Sequence, residues 1–285
     1  MILASTAAEL AAHAPAAGQR RAVVMTMGAL HEGHLSLVRR ARELADQVVV
    51  TIFVNPLQFT DAADLERYPR TLDADSALLE AEGADVVFAP SVEEMYPGGD
   101  PIVTVSAGDI GEVFEGEHRP GHFDGVLTVV LKLLHLTRPD VALFGAKDAQ
   151  QVIAIRRMVH DLAVPVEIEA VPTVRDADGL ALSSRNVHLS ASERETSLAL
   201  SRALFAARDA ARNGASAAAV VDSGRAVLDS ATRASAVLSV DYLAALDPSS
   251  SQPVPDDYRG DAVIAVAARV GATRLIDNVT VRIGE

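Results

Sequence analysis

Apolar residues along this chain fall into short continuous runs separated by stretches of helical period. Ala22-Val23-Val24 reads as a strand buried on both faces, and Leu35, Val38, Ala41 and Ala45 follow it at helical spacing. The β-branched run 47–54 predicts a second strand of a parallel sheet, stopped by Pro56, which has no N–H for a ladder. Residues 71–82 predict a helix, with Thr71 and Asp73 as N-cap candidates and Gly83 just past its end. Further strands are predicted over 85–88, 102–106, 141–144 and 166–174, and helices over 124–137 and 147–163. Strand–helix alternation of this extent predicts an α/β fold on a doubly wound parallel sheet.

The pattern shifts near Asp176-Ala177-Asp178-Gly179. Ser190-Ala191-Ser192-Glu193 is a capping box that opens a long alanine-rich helix, closed at Asn213-Gly214. A second helix is predicted over 215–230, then strands over 236–244, 262–267 and 275–281. Helices followed by strands make an α+β domain. The alanine content reads as helix propensity. The expected organisation is a Rossmann-like domain over 1–175 and a smaller C-terminal α+β domain over 176–285.

Composition narrows the function. The net charge is −14, from 39 acidic and 25 basic residues, which disfavours nucleic acid as a partner. It leaves room for a nucleotide, because a few local cations outweigh a diffuse field. Zero cysteines remove disulfides, thiolate metal sites and cysteine nucleophiles together. No apolar stretch is long enough for a membrane span and no secretion signal opens the chain, so a cytoplasmic protein without a membrane partner is expected.

The candidate chemistry gathers at strand-to-helix turns, the ligand side of such sheets. Met25-Thr26-Met27-Gly28-Ala29-Leu30-His31-Glu32-Gly33-His34 leads from the first strand into the first helix. Its glycines permit a tight turn, and its two imidazoles lie beside the free N–H groups of a helix start. That set suits a phosphate chain better than a metal, which wants a third ligand. After the second strand, Asn55-Pro56-Leu57-Gln58-Phe59 places a glutamine that both donates and accepts, which suits a hydroxyl-bearing ligand. Gly145-Ala146-Lys147-Asp148 puts a lysine at a helix start, against the helix dipole, which hints at a phosphate. Arg119 and His122, in a glycine-rich approach to a helix, are candidates for a substrate carboxylate. Leu182-Ser183-Ser184-Arg185-Asn186 gathers two hydroxyls and a guanidinium in the connection between the domains.

The His-x-Gly-His turn resembles the signature of the nucleotidyltransferase superfamily that includes class I aminoacyl-tRNA synthetases. Together with 55–59, Arg119 to Val126, Gly145 to Gln151 and 182–186, in that order, it resembles the pantothenate synthetase family. Ala146 departs from that family's usual glutamate, and Leu182 stands where methionine is usual. The resemblance implies ATP-dependent condensation of pantoate with β-alanine through a pantoyl adenylate, with release of AMP and pyrophosphate. It implies that residues 1–175 bind ATP and pantoate, that 176–285 act as a lid, and that the chain is a homodimer. For ATP it implies Met27, His31, His34, Gly145, Lys147, Asp148, Val174, Leu182, Ser183, Ser184 and Arg185. Of these, His31, His34 and Lys147 would meet the phosphates, and Ser183, Ser184 and Arg185 the pyrophosphate. For pantoate and β-alanine it implies Thr26, Asn55, Gln58, Arg119, His122 and Gln151. Mg²⁺ would accompany ATP, with Asp75 at the family's acidic position.

The competing expectation is another nucleotidyltransferase of the superfamily, acting on a small phosphorylated acceptor. That activity asks for a basic acceptor pocket in place of Gln58 and Gln151. A synthetase fragment would need a basic surface for tRNA, and a nucleotide-sensing relic would have lost its phosphate ligands.

Overall fold

The computed structural model describes residues 1–284. Six strands form one parallel sheet: β1 (Ile2–Ala4), β2 (Arg21–Thr26), β3 (Gln47–Ile52), β4 (Val86–Phe88), β5 (Val141–Gly145) and β6 (Glu167–Val171). Their order is β1-β4-β3-β2-β5-β6. Val23, Val24, Val48, Val49, Val50 and Leu143 are at most 1% exposed, as unbroken apolar runs require of strands covered on both faces. From β2 the chain builds outward through β3 and β4, then crosses back to β5 and β6 on the other side. Strand order therefore reverses between β2 and β5, and the crevice outside the carboxyl ends at such a reversal is where ligands bind.

Contacts divide the chain into two compact units, residues 1–146 with 154–172, and residues 147–153 with 173 onward. In the second, β7 (Leu238–Leu246), β8 (Gly260–Val270) and β9 (Thr273–Ile283) form an antiparallel sheet in that order. Helices Ala191–Arg212 and Ala217–Ala234 cover it, the first opened by the predicted Ser190–Glu193 capping box. Ala199, Ala203, Ala207 and Ala211 are buried at a spacing of four, and a Cβ on Gly224 would lie 2.9 Å from the Ala203 carbonyl oxygen. The small residues thus let two helices approach closely, a use beyond helix propensity. Asp277, 5% exposed, receives both ends of the Arg175 guanidinium at 2.6 and 2.9 Å and closes this unit around a fully paired charge.

The structure corrects the sequence reading at both kinds of short element. β1 and the helix Ala7–Ala11, capped by Thr6 and Glu9, are too brief to show a period. Residues 102–106, predicted as a strand, join no sheet. Side chains of the helix His122–Thr137 tether them instead: Val105 N–H donates to Thr128 Oγ1 at 3.0 Å and Ala107 N–H to Asp124 Oδ1 at 2.7 Å. Ile102 and Val103 are 101% and 86% exposed, so the apolar content that suggested a strand is not burial.

The same helix lies against the short 3₁₀ turn Pro56–Gln58. A Cβ on Gly125 would stand 2.3 Å from the Leu57 carbonyl oxygen, a backbone atom that no rotamer change can move. Gly125→Ala is expected to lower the unfolding free energy by about 1–3 kcal/mol, as overpacking does. Thermal melts followed by circular dichroism check it, and an unchanged midpoint would mean that helix and turn separate freely.

Candidate active site

The turn after β2 is held from one side by a carboxylate. Gly28 has φ +85° and Ala29 φ +52°, the latter a left-handed conformation that costs an L-residue about 1–2 kcal/mol. Asp75, 2% exposed in the first turn of the helix Leu72–Ala81, accepts Ala29 N–H at 3.0 Å and Leu30 N–H at 2.8 Å. Thr71 sits at the N-cap position as predicted, yet its hydroxyl donates to Asp75 Oδ2 at 3.0 Å and does not cap the helix. A Cβ on Gly28 would come within 3.1 Å of the same oxygen. Thr26 completes the turn: its hydroxyl donates to Thr51 O at 2.8 Å and accepts Gly28 N–H at 3.2 Å.

The helix Glu32–Leu44 begins directly after this turn, with His31 as its N-cap. His31 Nδ1 accepts Gly33 N–H at 3.1 Å, and His34 Nδ1 accepts His31 N–H at 3.3 Å. Two imidazoles therefore make the reciprocal capping box that serine and glutamate usually make. Accepting at Nδ1 fixes the tautomer of each neutral ring and makes Nε2–H the donor. The rings stand 4.2 Å apart between centroids. Gly33 is needed because a Cβ there would meet the His31 ring at 2.8 Å. Met27 is half-buried in the same turn.

The turn after β3 is equally determined. Asn55, 1% exposed, donates from Nδ2 to Gln58 Oε1 at 3.0 Å and to Gly125 O at 3.1 Å. Its Oδ1 accepts Tyr96 OH at 2.8 Å and Leu57 N–H at 3.4 Å. Asn55 is thus engaged at both amide ends. Arg119 and His122 are likewise turned to the protein. His122 Nδ1 meets Gln58 O at 2.9 Å, Arg119 donates to the same carbonyl at 3.3 Å, and the two side chains touch at 3.1 Å. They brace the glutamine's main chain. Thr26, with its hydroxyl engaged twice, also belongs to the scaffold.

Gly145 ends β5. Lys147, Asp148 and Gln151 follow it but fold with the second unit. There Asn278 Nδ2 donates to the Lys147 carbonyl at 2.7 Å, so the lysine's main chain is anchored to β9. Its ammonium has no ion-pair partner among the described residues. In the same unit Leu182 N–H donates to Val174 O at 3.0 Å. Ser183 caps the 3₁₀ turn Ser184–His188 by accepting Arg185 N–H at 3.2 Å, and Arg185 is exposed.

Sequence reasoning missed Tyr96 and Asn278. Neither lies in a turn of chemical character, and only the fold brings them to Asn55 and Lys147. Asp75, expected beside Mg²⁺, also has a structural task. Both of its oxygens are engaged by three donors, and the described residues contain no cluster of three histidine, aspartate or glutamate side chains placed to hold an ion. Asp75→Asn, which leaves one oxygen for three donors, is expected to lower the unfolding free energy by about 1–3 kcal/mol. Denaturation in chelator, without nucleotide, measures this directly. A metal ligand would show no loss under those conditions.

The chain is similar to known proteins. The profile of the pantoate–beta-alanine ligase family matches residues 3–280. The pantothenate synthetase of Thermobifida fusca is 60% identical, the alignment covering 98% of this chain and 95% of that protein. That of Streptomyces avermitilis is 55% identical over 99% and 98%. Among solved structures, the pantothenate synthetase of Thermus thermophilus superposes with a TM-score of 0.89 at 48% identity, covering 98% of this chain and 99% of that one. The pantoate–beta-alanine ligase of Francisella tularensis, complexed with beta-gamma ATP and beta-alanine, gives 0.78 at 33% identity over 98% and 97%. With match, turns and sheet in accord, the chain belongs to the pantoate–beta-alanine ligases, the pantothenate synthetases.

Proposed function

We propose that this chain joins pantoate to β-alanine in two steps, first adenylating the acid and then passing its acyl group to the amine. The observation that carries the reading is the pair of imidazoles at the helix start, each with Nδ1 bound to a main-chain N–H and Nε2–H therefore a donor. Neutral donors beside helix N–H groups suit the oxygens of a triphosphate at the reversal between β2 and β5.

In the first step a pantoate carboxylate oxygen attacks the α-phosphorus of ATP, the bond to the β-phosphate bridge breaks, and pyrophosphate leaves with the electron pair. His31, His34 and Lys147 stabilise charge on the phosphates, and Ser183, Ser184 and Arg185 accompany the pyrophosphate. Met27, Gly145, Asp148, Val174 and Leu182 line the nucleotide, while Gln58 and Gln151 meet pantoate. In the second step the β-alanine amine attacks the activated acyl carbon and AMP departs. No protein nucleophile takes part, in keeping with a chain without cysteine. Catalysis is positioning and electrostatics. Mg²⁺ enters with ATP as part of the substrate, with Asp75 the carboxylate at the family's acidic position.

The proposal extends to a cytoplasmic homodimer. Zero cysteines support the compartment, and no helix among the described residues is long and apolar enough to cross a membrane. The exposed Ile102 and Val103 support a second copy as partner.

Exchange of labelled pyrophosphate into ATP tests the order of chemistry. Exchange should require pantoate and proceed without β-alanine, whose amine has no role before the adenylate exists. Exchange that appears only after β-alanine is added would remove the two-step mechanism.

Lys147→Ala and His34→Ala should each slow adenylation about 100-fold or more, in line with loss of one charge-stabilising group. Acyl transfer from chemically made pantoyl adenylate should suffer less, because the adenylate has already lost pyrophosphate. Near-wild-type exchange in either folded variant would defeat its assignment.

A further inference from the structure

The hydrogen bonds around Asn55 settle which way two carboxamides point. Gly125 O can only accept, so the Asn55 atom facing it at 3.1 Å is the amide NH₂. The opposite atom, Oδ1, then meets Tyr96 OH, which donates to it at 2.8 Å. The second Asn55 N–H points at Gln58 from 3.0 Å, and the atom it meets must be Oε1. The Gln58 NH₂ is therefore the end turned away from Asn55, and it has no partner among the described residues. One fixed carbonyl on a neighbouring helix and one phenol thus orient an amide two residues removed from either.

Tyr96 is built to remain the donor. It is 3% exposed, with its ring edge-on to Phe53 at 5.9 Å between centroids and the Lys132 ammonium over its face at 5.4 Å. Lys132 also donates to the Met95 carbonyl, which ties down the chain beside the ring. Burial, with a smaller contribution from the Asp100 charge, pushes the phenol well above its ordinary pKa, so the hydroxyl keeps its proton. Below the glutamine, Arg119 and His122 hold its carbonyl, so main chain and side chain are braced independently.

We propose that Tyr96 is a positioning residue for the acid substrate: through Asn55 it holds Gln58 with its NH₂ outward, so that the site selects a hydrogen-bond acceptor on that substrate. This rests on the reading above that Gln58 meets pantoate. It also replaces the expectation that this glutamine donates and accepts equally. A substrate oxygen with a lone pair, from a carboxylate or a hydroxyl, is the group that such an amide reads.

A double-mutant cycle of Tyr96→Phe and Gln58→Ala tests the relay, with KM for pantoate, ATP and β-alanine read for all four proteins. Phenylalanine keeps the ring packing and removes only the donor, and melting midpoints confirm folding. Tyr96→Phe is expected to raise KM for pantoate about 10-fold, with ATP and β-alanine near wild type. In the Gln58→Ala background it should change KM for pantoate less than about 2-fold, because residues acting through one contact are not additive. An equal effect in both backgrounds, or a parallel rise for all three substrates, would overturn the relay and make Tyr96 a packing residue. If Gln58→Ala alone leaves KM for pantoate unchanged, the assignment of Gln58 to pantoate falls, and this proposal falls with it.

Discussion

One buried carboxylate sets the geometry of the turn proposed to meet the phosphates. Asp75 gathers two main-chain N–H groups from a turn that includes a left-handed alanine, and without an acceptor there those groups would be buried unsatisfied. A charge at 2% exposure is costly unless paired, and its three donors supply the pairing. The turn so held delivers His31 to the N-cap position, and His31 in turn delivers the tautomer of both imidazoles. Strain, charge burial and ring orientation are one arrangement, and it is arranged from a helix distant along the chain.

The parallel sheet was legible because its strands are buried on both faces and so appear as unbroken apolar runs. β2, β3 and β5 were read from Ala22-Val23-Val24 and its like, and turns at their carboxyl ends were sought because such sheets bind there. The α+β character of the C-terminal part followed from the Ser190 capping box and the later strands. What failed has a common cause. Residues 102–106 carry strand composition but join no sheet, and a threonine and an aspartate from a helix take the N–H groups of Val105 and of Ala107 just past the segment. Apolar content does not say whether a segment is covered.

At the site, residue types were legible and residue jobs were not. Histidine, glutamine and lysine could be placed at strand-to-helix turns from spacing and the family resemblance. Whether a side chain faces a substrate or its own scaffold depends on partners distant in sequence. Asn55 is engaged by Tyr96 and Gly125, Asp75 closes a turn, and Asn278, to which no motif points, holds the Lys147 carbonyl.

The orientation of Gln58 bears on why a guanidinium was not used in its place. Arg119 is close enough to brace the Gln58 carbonyl and is turned to it. On the proposed mechanism the acid substrate's carboxylate is itself the nucleophile. A direct, bidentate guanidinium pair would bind that carboxylate tightly in the ground state and would have to be weakened as its charge passes to the phosphate. A neutral amide N–H would orient an oxygen of that substrate, carboxylate or hydroxyl, with less stabilisation to give back. Placing the cation one shell out, on the glutamine's main chain, keeps the donor rigid while the nucleophile keeps its charge. The demand for precision then falls on the scaffold, which is why the network around Gln58 runs through buried groups such as Asn55, Tyr96 and His122 rather than through solvent.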